Sequence, residues 1–296
     1  MQGAREARLT ARPGSVVSNV IDGLLLLDGA FKPESQEADV GGGSIVAFTE
    51  RAPDKDTENQ DTLAVIPFGP ESVVLVVADG AGGLPAGKRA SLTAVSTLVE
   101  SLSVAMSDTV VLRTAILDGI DAANEAVMGL SNGSATTMTV VAIEGRVARC
   151  YQIGDSEALV VGQRGRIKLQ TTAHSPTGFA VEAGFLDQRE ALHHAERHLV
   201  SNFLGTSDMK IDIGAPVELQ PRDTLLLASD GLMDNVHLHE IIEHIRKGPA
   251  AAAVDTIVDL ARRRMQSSNN NEPSKPDDLS LILYRRRLSA QSRSKT

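Results

Sequence analysis

The order of the predicted elements constrains the fold of this chain more than any other feature. Strands are predicted over residues 44–49, 62–68, 72–78, 137–144, 147–153, 158–162, 211–219, 224–228 and 279–284. Two helices are predicted after the third strand, and two more, at 238–245 and 250–265, after the eighth. This order lacks the strand and helix alternation of parallel sheets, so it favours antiparallel sheets with helices packed outside them.

The composition excludes several classes of protein. The 296 residues include 38 acidic and 29 basic side chains, and the formal charge of −9 argues against a nucleic-acid partner. The single cysteine, Cys150, cannot form an internal disulfide, and no signal peptide is recognised. The longest aliphatic run near the N-terminus is too short to span a membrane. We therefore expect a cytoplasmic protein that has no membrane contact.

The regular pattern covers only part of the chain. Residues 1–43 are rich in Gly, Pro and Ser, end in three glycines, and are predicted to be a loosely ordered lead-in. Residues 44–287 form the predicted domain, and residues 288–296 a disordered basic tail. Within the domain, residues 170–204 are polar and poorly periodic, which indicates an excursion from the sheets.

Aspartates occur at the ends of several predicted strands. Three strands run into acid and two begin with it, at Asp79-Gly80, Gly154-Asp155, Asp230-Gly231, Asp61 and Asp277-Asp278. Because the end of one antiparallel strand lies beside the start of its neighbour, these five positions can converge on one rim. Carboxylates gathered there would repel one another unless divalent cations neutralised them.

The ligand types indicate which cations would bind. Carboxylate oxygen, backbone carbonyl and water, without Cys or His, favour Mg²⁺ or Mn²⁺ over Zn²⁺. The glycine after Asp79 would let its own carbonyl approach an ion. Two ions about 4 Å apart would activate a bridging water for in-line attack at phosphorus. The pattern therefore predicts hydrolysis of a phosphate ester.

Six short segments carry a family resemblance. They are Asn59-Gln60-Asp61, Val77-Ala78-Asp79-Gly80-Ala81-Gly82-Gly83, Ser134-Ala135-Thr136-Thr137, Gly154-Asp155-Ser156, Ser229-Asp230-Gly231-Leu232-Met233-Asp234 and Asp277-Asp278. Each segment is weak evidence alone. In this order, over roughly residues 44–287, they resemble the metal-dependent protein serine/threonine phosphatases of type 2C.

The resemblance implies both a fold and a set of site residues. The implied fold is α+β, a four-layer α-β-β-α sandwich of two antiparallel sheets flanked by helix pairs, with residues 170–204 as the family's flap. Catalytic roles fall on Asp61, Asp79, Asp230 and Asp278. The implied metal ligands are Asp61, Asp79, Gly80, Asp155, Asp230, Asp234 and Asp278. Two Mg²⁺ or Mn²⁺ ions are expected, with Asp155 and Asp234 as candidate ligands of a third.

The implied activity is removal of phosphate from phosphoserine and phosphothreonine by a metal-bridged hydroxide. The expected partners are a phosphorylated protein and a serine/threonine kinase or its targets, and the chain is expected to be a monomer.

Two departures from the family pattern leave an alternative open. Ala81 stands where many members have His, and Asp56 stands where members usually have Arg, so Lys55 or Arg51 would have to bind phosphate. General acid catalysis contributes about a hundredfold or more, so these changes predict slow turnover. The alternative is a catalytically weak or inactive regulatory module on the same metal-binding scaffold.

Two other site types are disfavoured by their residues. Residues 82–88 have the G-x-x-x-x-G-K spacing of a nucleotide-binding loop, but Arg89 follows in place of Ser or Thr. His194 and His198 are four residues apart, as in a zinc site, but no Glu takes the place that the H-E-x-x-H pattern requires.

Overall fold

The structure is a computed structural model that describes residues 23–29, 33–81, 86–131, 133–267 and 272–287. The strands, in chain order, are β1 (Leu25–Leu27), β2 (Glu34–Val40), β3 (Gly43–Glu50), β4 (Asp61–Pro67), β5 (Ser72–Ala81), β6 (Ala135–Thr136), β7 (Met138–Glu144), β8 (Val147–Ile153), β9 (Glu157–Val161), β10 (Ile167–Gln170), β11 (Asp212–Ile213), β12 (Val217–Glu218), β13 (Thr224–Ala228) and β14 (Leu279–Arg286). The helices are α1 (Ala86–Ser107), α2 (Leu112–Met128), α3 (Pro176–Glu182), α4 (Gln188–Leu192), α5 (Asp230–Met233), α6 (Leu238–Ile245) and α7 (Ala250–Met265).

The strands form two antiparallel sheets. The first has the order β1-β4-β5-β7-β8-β11, with β6 paired to β5 and β12 paired to β8. The second has the order β10-β9-β13-β14-β3-β2. Each strand pair in the described residues is antiparallel. The prediction of antiparallel sheets is confirmed.

Three apolar clusters define four layers. One cluster joins α1 and α2 to the outer face of the first sheet. A second lies between the two sheets, and a third joins the second sheet to α5, α6 and α7. The predicted α-β-β-α sandwich is therefore confirmed.

Residues 73–78 of β5 are all apolar because both faces of the strand are covered. Val73, Leu75 and Val77 point into the core between the sheets. The alternate residues, including Val74 and Val76, face α1 and α2. Because successive side chains of a strand point to opposite faces, a strand covered on both sides must be apolar at every position.

Helix α1 is 22 residues long, and an 18-residue window in it has a mean hydropathy of 1.2, so it could cross a membrane by length and composition alone. Its apolar side chains have another explanation. Val95, Leu98 and Leu102 are fully buried in the cluster shared with α2 and the first sheet. Packing in the core therefore explains the apolar composition of α1.

The prediction of a loosely ordered lead-in over residues 1–43 is wrong for the part that the structure describes. Strand β1 pairs with β4, and β2 pairs with β3 along seven residues. Gly41 and Gly42, predicted to lie at the end of this lead-in, both have positive φ and connect β2 to β3 in a tight hairpin turn. Because β2 is largely polar, its sequence did not indicate that it is an edge strand. Residues 1–22, 30–32 and the predicted tail at 288–296 lie outside the described residues.

The predicted strand at 211–219 is also revised. It consists of two two-residue strands, β11 and β12, separated by Gly214, Ala215 and Pro216. Pro216 has no N–H to donate to β8, which explains the interruption.

The segment 170–204 contains two short helices that its weak periodicity did not predict. Ser175 caps α3 by accepting a hydrogen bond from the Gly178 N–H at 2.9 Å, and Pro176 occupies the first turn. Asp187 and Glu190 form a capping box at the start of α4. Capping residues, rather than an apolar face, define these helices.

The hairpin turn generates a stability prediction. A Cβ on Gly41 would lie 2.5 Å from Cγ1 of Val73, whereas a Cβ on Gly42 would have only the Arg286 guanidinium nearby, at 3.9 Å. Both residues have positive φ, so each alanine substitution should cost about 1 kcal/mol in backbone strain. Gly41→Ala should cost roughly 1–3 kcal/mol more, because it overpacks the core. Urea denaturation of both variants measures the difference, and equal losses would show that the turn is not packed on β5.

Candidate metal centre

The first two aspartates of the cluster lie on neighbouring strands. Asp61 is the first residue of β4 and is directly opposite Asp79 near the end of β5. Asp61 is completely buried. Burial, followed by the charge of Asp278, raises the pKa of Asp61 to about 8. Burial and then the charge of Asp61 hold the pKa of Asp79 well above its ordinary value. The first sheet therefore places two mutually repelling carboxyl groups at one end of the sandwich.

The second sheet brings Asp230 to the same end. Asp230 follows β13 and is the first residue of α5. The residue before it, Ser229, links the two sheets, because its hydroxyl donates to Oδ2 of Asp61 at 3.0 Å. The same hydroxyl accepts the Ser280 N–H of β14 at 3.1 Å. One serine therefore fixes the position of Asp61 relative to the ends of β13 and β14.

A buried polar network supports this link. Thr49 and Ser280 share a hydrogen bond of 2.7 Å between their hydroxyls. The Asn59 amide donates to Thr49 at 2.8 Å, and its carbonyl oxygen accepts the Asp61 N–H at 2.9 Å. Fully hydrogen-bonded buried networks restrict the geometry of the groups they hold.

Three further aspartates surround Asp230. Asp155, just after β8, is buried, and burial followed by the charge of Asp230 raises its pKa well above the ordinary value. The same two causes raise the pKa of Asp234 to about 6 and that of Asp277 to about 7. Asp230 thus connects the Asp61 and Asp79 pair to this second group. We call the six residues Asp61, Asp79, Asp155, Asp230, Asp234 and Asp277 the acidic cluster.

A lysine lies inside the acidic cluster. The ammonium of Lys275 forms a short ion pair with Asp230 and lies 3.0 Å from Oδ2 of Asp234 and 3.5 Å from Oδ2 of Asp277. Burial opposes its charge, but these three carboxylates outweigh burial and raise the pKa of Lys275. The lysine therefore remains charged and neutralises part of the cluster.

Several carboxylate oxygens still lack a hydrogen bond. Oδ1 of Asp61 and Oδ1 of Asp230 are buried and accept none from the described residues, and Oδ2 of Asp234 has only its ion pair with Lys275. Buried carboxylates without donors are costly, and a hard divalent cation satisfies such oxygens. In the part of the chain described, no three acidic, His or Cys side chains are already arranged to hold an ion. The donor set therefore fits Mg²⁺ or Mn²⁺, after local side-chain adjustment.

Comparison with known families identifies the arrangement. A family model described as Protein phosphatase 2C matches residues 51–280, more than three quarters of the chain. The chain belongs to the protein phosphatase 2C family. Protein phosphatase PhpP of Streptococcus pneumoniae is 31% identical over 220 residues, which cover 70% of this chain and 87% of PhpP.

Solved structures share the fold. The serine/threonine phosphatase Stp1 of Staphylococcus aureus has a TM-score of 0.69 and 24% identity, covering 85% of this chain and 98% of Stp1. The catalytic domain of the serine/threonine protein phosphatase PstP, in complex with two manganese ions, has a TM-score of 0.63 and 22% identity, covering 88% of this chain and 98% of the PstP domain. The phosphatase 2C fold therefore extends over the whole sandwich.

The structure places Asp278 differently from the prediction. Its Oδ1 accepts the Ala52 N–H at 2.8 Å, and its Oδ2 accepts the Gln60 N–H at 2.7 Å and the Lys55 ammonium at 2.5 Å. These donors already occupy both oxygens, so Asp278 anchors the 51–60 loop. Asp277, its neighbour, interacts with Asp230 and was missed as a candidate ligand. Two adjacent aspartates cannot be distinguished from the sequence without the loop conformation.

The predicted phosphate-binding residues lie in the same loop. The ammonium of Lys55 is paired with Asp278, so it is not available in this arrangement. Arg51 is partly buried at the start of the loop, and its phosphate-binding role remains a prediction.

The backbone of Gly80 is packed closely against the backbone of Gly87 in α1. A Cβ on Gly87 would lie 2.5 Å from the Gly80 carbonyl oxygen, and a Cβ on Gly80 would lie 2.1 Å from the Gly87 oxygen. Only glycine permits this approach between β5 and α1. The carbonyl of Gly80 therefore lies against α1, and its role as an ion ligand remains a prediction.

The structure gives no support to the zinc site or the nucleotide-binding loop that the sequence disfavoured, and the cysteine and histidine that zinc would need have other surroundings. Cys150 is buried in β8, and burial raises the pKa of its thiol to about 12. His194 accepts a local hydrogen bond from the Glu196 N–H at 3.2 Å. The first four residues of the supposed nucleotide loop, 82–85, lie outside the described residues.

The flap covers a cavity beside the acidic cluster. The cavity has a volume of about 260 Å³ and lies between the flap and α5. Asp155, Asp230 and Asp234 line one side of it, and flap residues such as Thr172 and Leu192 line the other. Residues 170–204 are therefore placed where they can contact a molecule bound at the cluster.

The raised carboxyl pKa values predict how the stability of the metal-free phosphatase depends on pH. Acids whose pKa is higher in the folded state stabilise it below their unfolded pKa, and this contribution is lost as pH rises through the folded pKa. The melting temperature in EDTA should therefore fall by roughly 5 °C or more between pH 5 and pH 8.

Saturating Mn²⁺ should abolish or reverse this trend. Asp277→Asn should weaken it, whereas Asp259→Asn, on the exposed face of α7, should not. A metal-free melting temperature that rises steadily from pH 5 to pH 8 would contradict the assigned repulsion.

Proposed function

We propose that this phosphatase removes phosphate from phosphoserine and phosphothreonine side chains of proteins. Family membership makes the chain a phosphoprotein phosphatase. The serine/threonine preference is supported by relatives such as the Listeria monocytogenes serine/threonine phosphatase stp. The observation that carries the proposal is the acidic cluster, with its buried and unpaired carboxylate oxygens, at the end of a phosphatase 2C sandwich.

The metal ligands are proposed from the described contacts. Asp61, Asp79, Asp230 and Asp277 would hold two ions, and Asp155 with Asp234 would be candidates for a third. Mn²⁺ and Mg²⁺ are the proposed ions, because the cluster offers only hard oxygen ligands and PstP is a fold neighbour that binds two manganese ions. When bound, such ions activate water and neutralise charge on the phosphoryl group.

The chain's own residues would position the reaction. Ser229 and the Asn59 network hold Asp61 in place. No Cys or His of the described residues lines the cavity beside the acidic cluster, which supports attack by water without a covalent phosphoenzyme. The cavity below the flap would bind the peptide around the phosphorylated residue. Ala81 offers no proton to the leaving oxygen, so we expect slow turnover.

The partners and location are proposed on chemical grounds. A phosphoprotein phosphatase acts opposite a kinase, so a serine/threonine kinase or its targets would be partners. The charge of −9 would disfavour nucleic acid. We propose a cytoplasmic monomer that does not contact membranes. Nothing in the structure or among the relatives favours the inactive regulatory module.

Substitution of Asp79 tests the function. Asp79→Asn should lower the Mn²⁺-dependent hydrolysis of a phosphothreonine peptide by roughly several hundredfold, because one carboxylate of the facing pair is removed. Asp259→Asn is the matched control and should leave the rate unchanged. A loss of less than about tenfold at saturating Mn²⁺ would contradict the assigned site.

A further inference from the structure

Lys275 is held among carboxylates that a metal ion would need. Its side chain is only 18% exposed, and its ammonium contacts Asp230, Asp234 and Asp277. A surface ion pair contributes little because its groups are exposed and mobile. Lys275 instead lies within 3.5 Å of three carboxylates at once.

The backbone around Lys275 is fixed in place. Asn235, which is completely buried, accepts the Lys275 N–H at 2.7 Å and donates to the Lys275 carbonyl at 2.8 Å. The same amide donates to the Gly231 carbonyl at 2.9 Å. Arg197 of the flap donates to the neighbouring Ser274 carbonyl at 2.6 Å. These bonds direct the lysine into the cluster.

One carboxylate oxygen cannot contact this ammonium and a divalent ion in the same arrangement. Mg²⁺ lies about 2.0–2.1 Å from its oxygen ligands. An ion bound by the Asp230 oxygen that Lys275 contacts would stand close to the ammonium, and the two positive charges would repel strongly in this buried environment. That oxygen can therefore bind either the lysine or the ion, and an ion at Oδ1 of Asp230 would still be repelled by the ammonium beside it.

We infer that Lys275 is a resident counter-cation that competes with a divalent ion for Asp230, Asp234 and Asp277. The inference rests on the proposed function in one respect, that these carboxylates bind divalent ions. Lys275 keeps the metal-free fold intact and lowers metal affinity, and ion binding displaces its ammonium from the cluster.

Removal of the charge tests the competition. Lys275→Met keeps most of the length of the side chain and removes the ammonium. Isothermal titration of the full chain with Mn²⁺ should show binding at least about tenfold tighter than in wild type, or one additional ion. Without metal, the variant should melt at a lower temperature than wild type, because the acidic cluster loses its counter-charge.

Lys168→Met is the matched control. Lys168 forms an equally well-defined ion pair with Asp223, at 2.5 Å, away from the acidic cluster. This variant should bind Mn²⁺ as wild type does. Unchanged or weaker Mn²⁺ binding by folded Lys275→Met would overturn the inference.

A measurement on the wild-type chain decides the matter if Lys275→Met does not fold. Acylation by an amine-reactive reagent, read by mass spectrometry, should label Lys275 several times faster once Mn²⁺ is bound, while Lys168 should not change. Constant labelling of Lys275 with Mn²⁺ bound would overturn the inference.

If Mn²⁺ binds and displaces Lys275 but no phosphopeptide is hydrolysed, the proposed function fails and the inference stands. If neither wild type nor a folded Lys275→Met binds Mn²⁺, both fail.

Discussion

Six carboxyl groups lie together at one end of the sandwich, with Asp61, Asp155 and Asp230 buried, and their mutual repulsion is the constraint on which the rest of the site depends. Burial favours the protonated forms of five of them, and neighbouring charges add to that preference, at Asp61, Asp79, Asp155, Asp234 and Asp277. A cluster with raised pKa values and unpaired oxygens is stabilised either by protonation or by compensating positive charge. In the metal-free chain, Lys275 supplies part of that charge. Divalent ions would supply more, which links metal binding to stability.

The sandwich positions these groups through backbone register rather than through local sequence. Asp61 and Asp79 face each other because β4 pairs with β5, and Asp230 joins them because the ends of β13 and β14 lie beside that pair. Glycine allows the close packing that this requires. A Cβ on Gly231 would lie 1.9 Å from the Asp278 carbonyl oxygen. Small changes in the packing of the two sheets would therefore separate the ligands.

Much of the fold could be predicted because its core elements have strong patterns. Strand β13 and the helices α6 and α7 have the predicted bounds, since their apolar residues follow the period of a buried strand or of an amphipathic helix. The edge strand β2 was missed because its sequence is largely polar, and β1 was missed because it is only three residues long. The convergence of Asp61, Asp79, Asp155 and Asp230 could be predicted from strand ends, whereas Asp234 was expected only from the family resemblance. The choice of Asp277 over Asp278 and the presence of Lys275 could not, because both depend on a loop without periodicity.

The central claim is that distant aspartates form one binding site for hard cations. The most direct test is a crystal structure of the Mn²⁺-bound chain, with anomalous scattering measured at the manganese edge. The account predicts anomalous peaks coordinated by Asp79, Asp230 and Asp277, with the Lys275 ammonium moved away from them. Manganese bound only elsewhere, with the acidic cluster unchanged and Lys275 still in place, would contradict it.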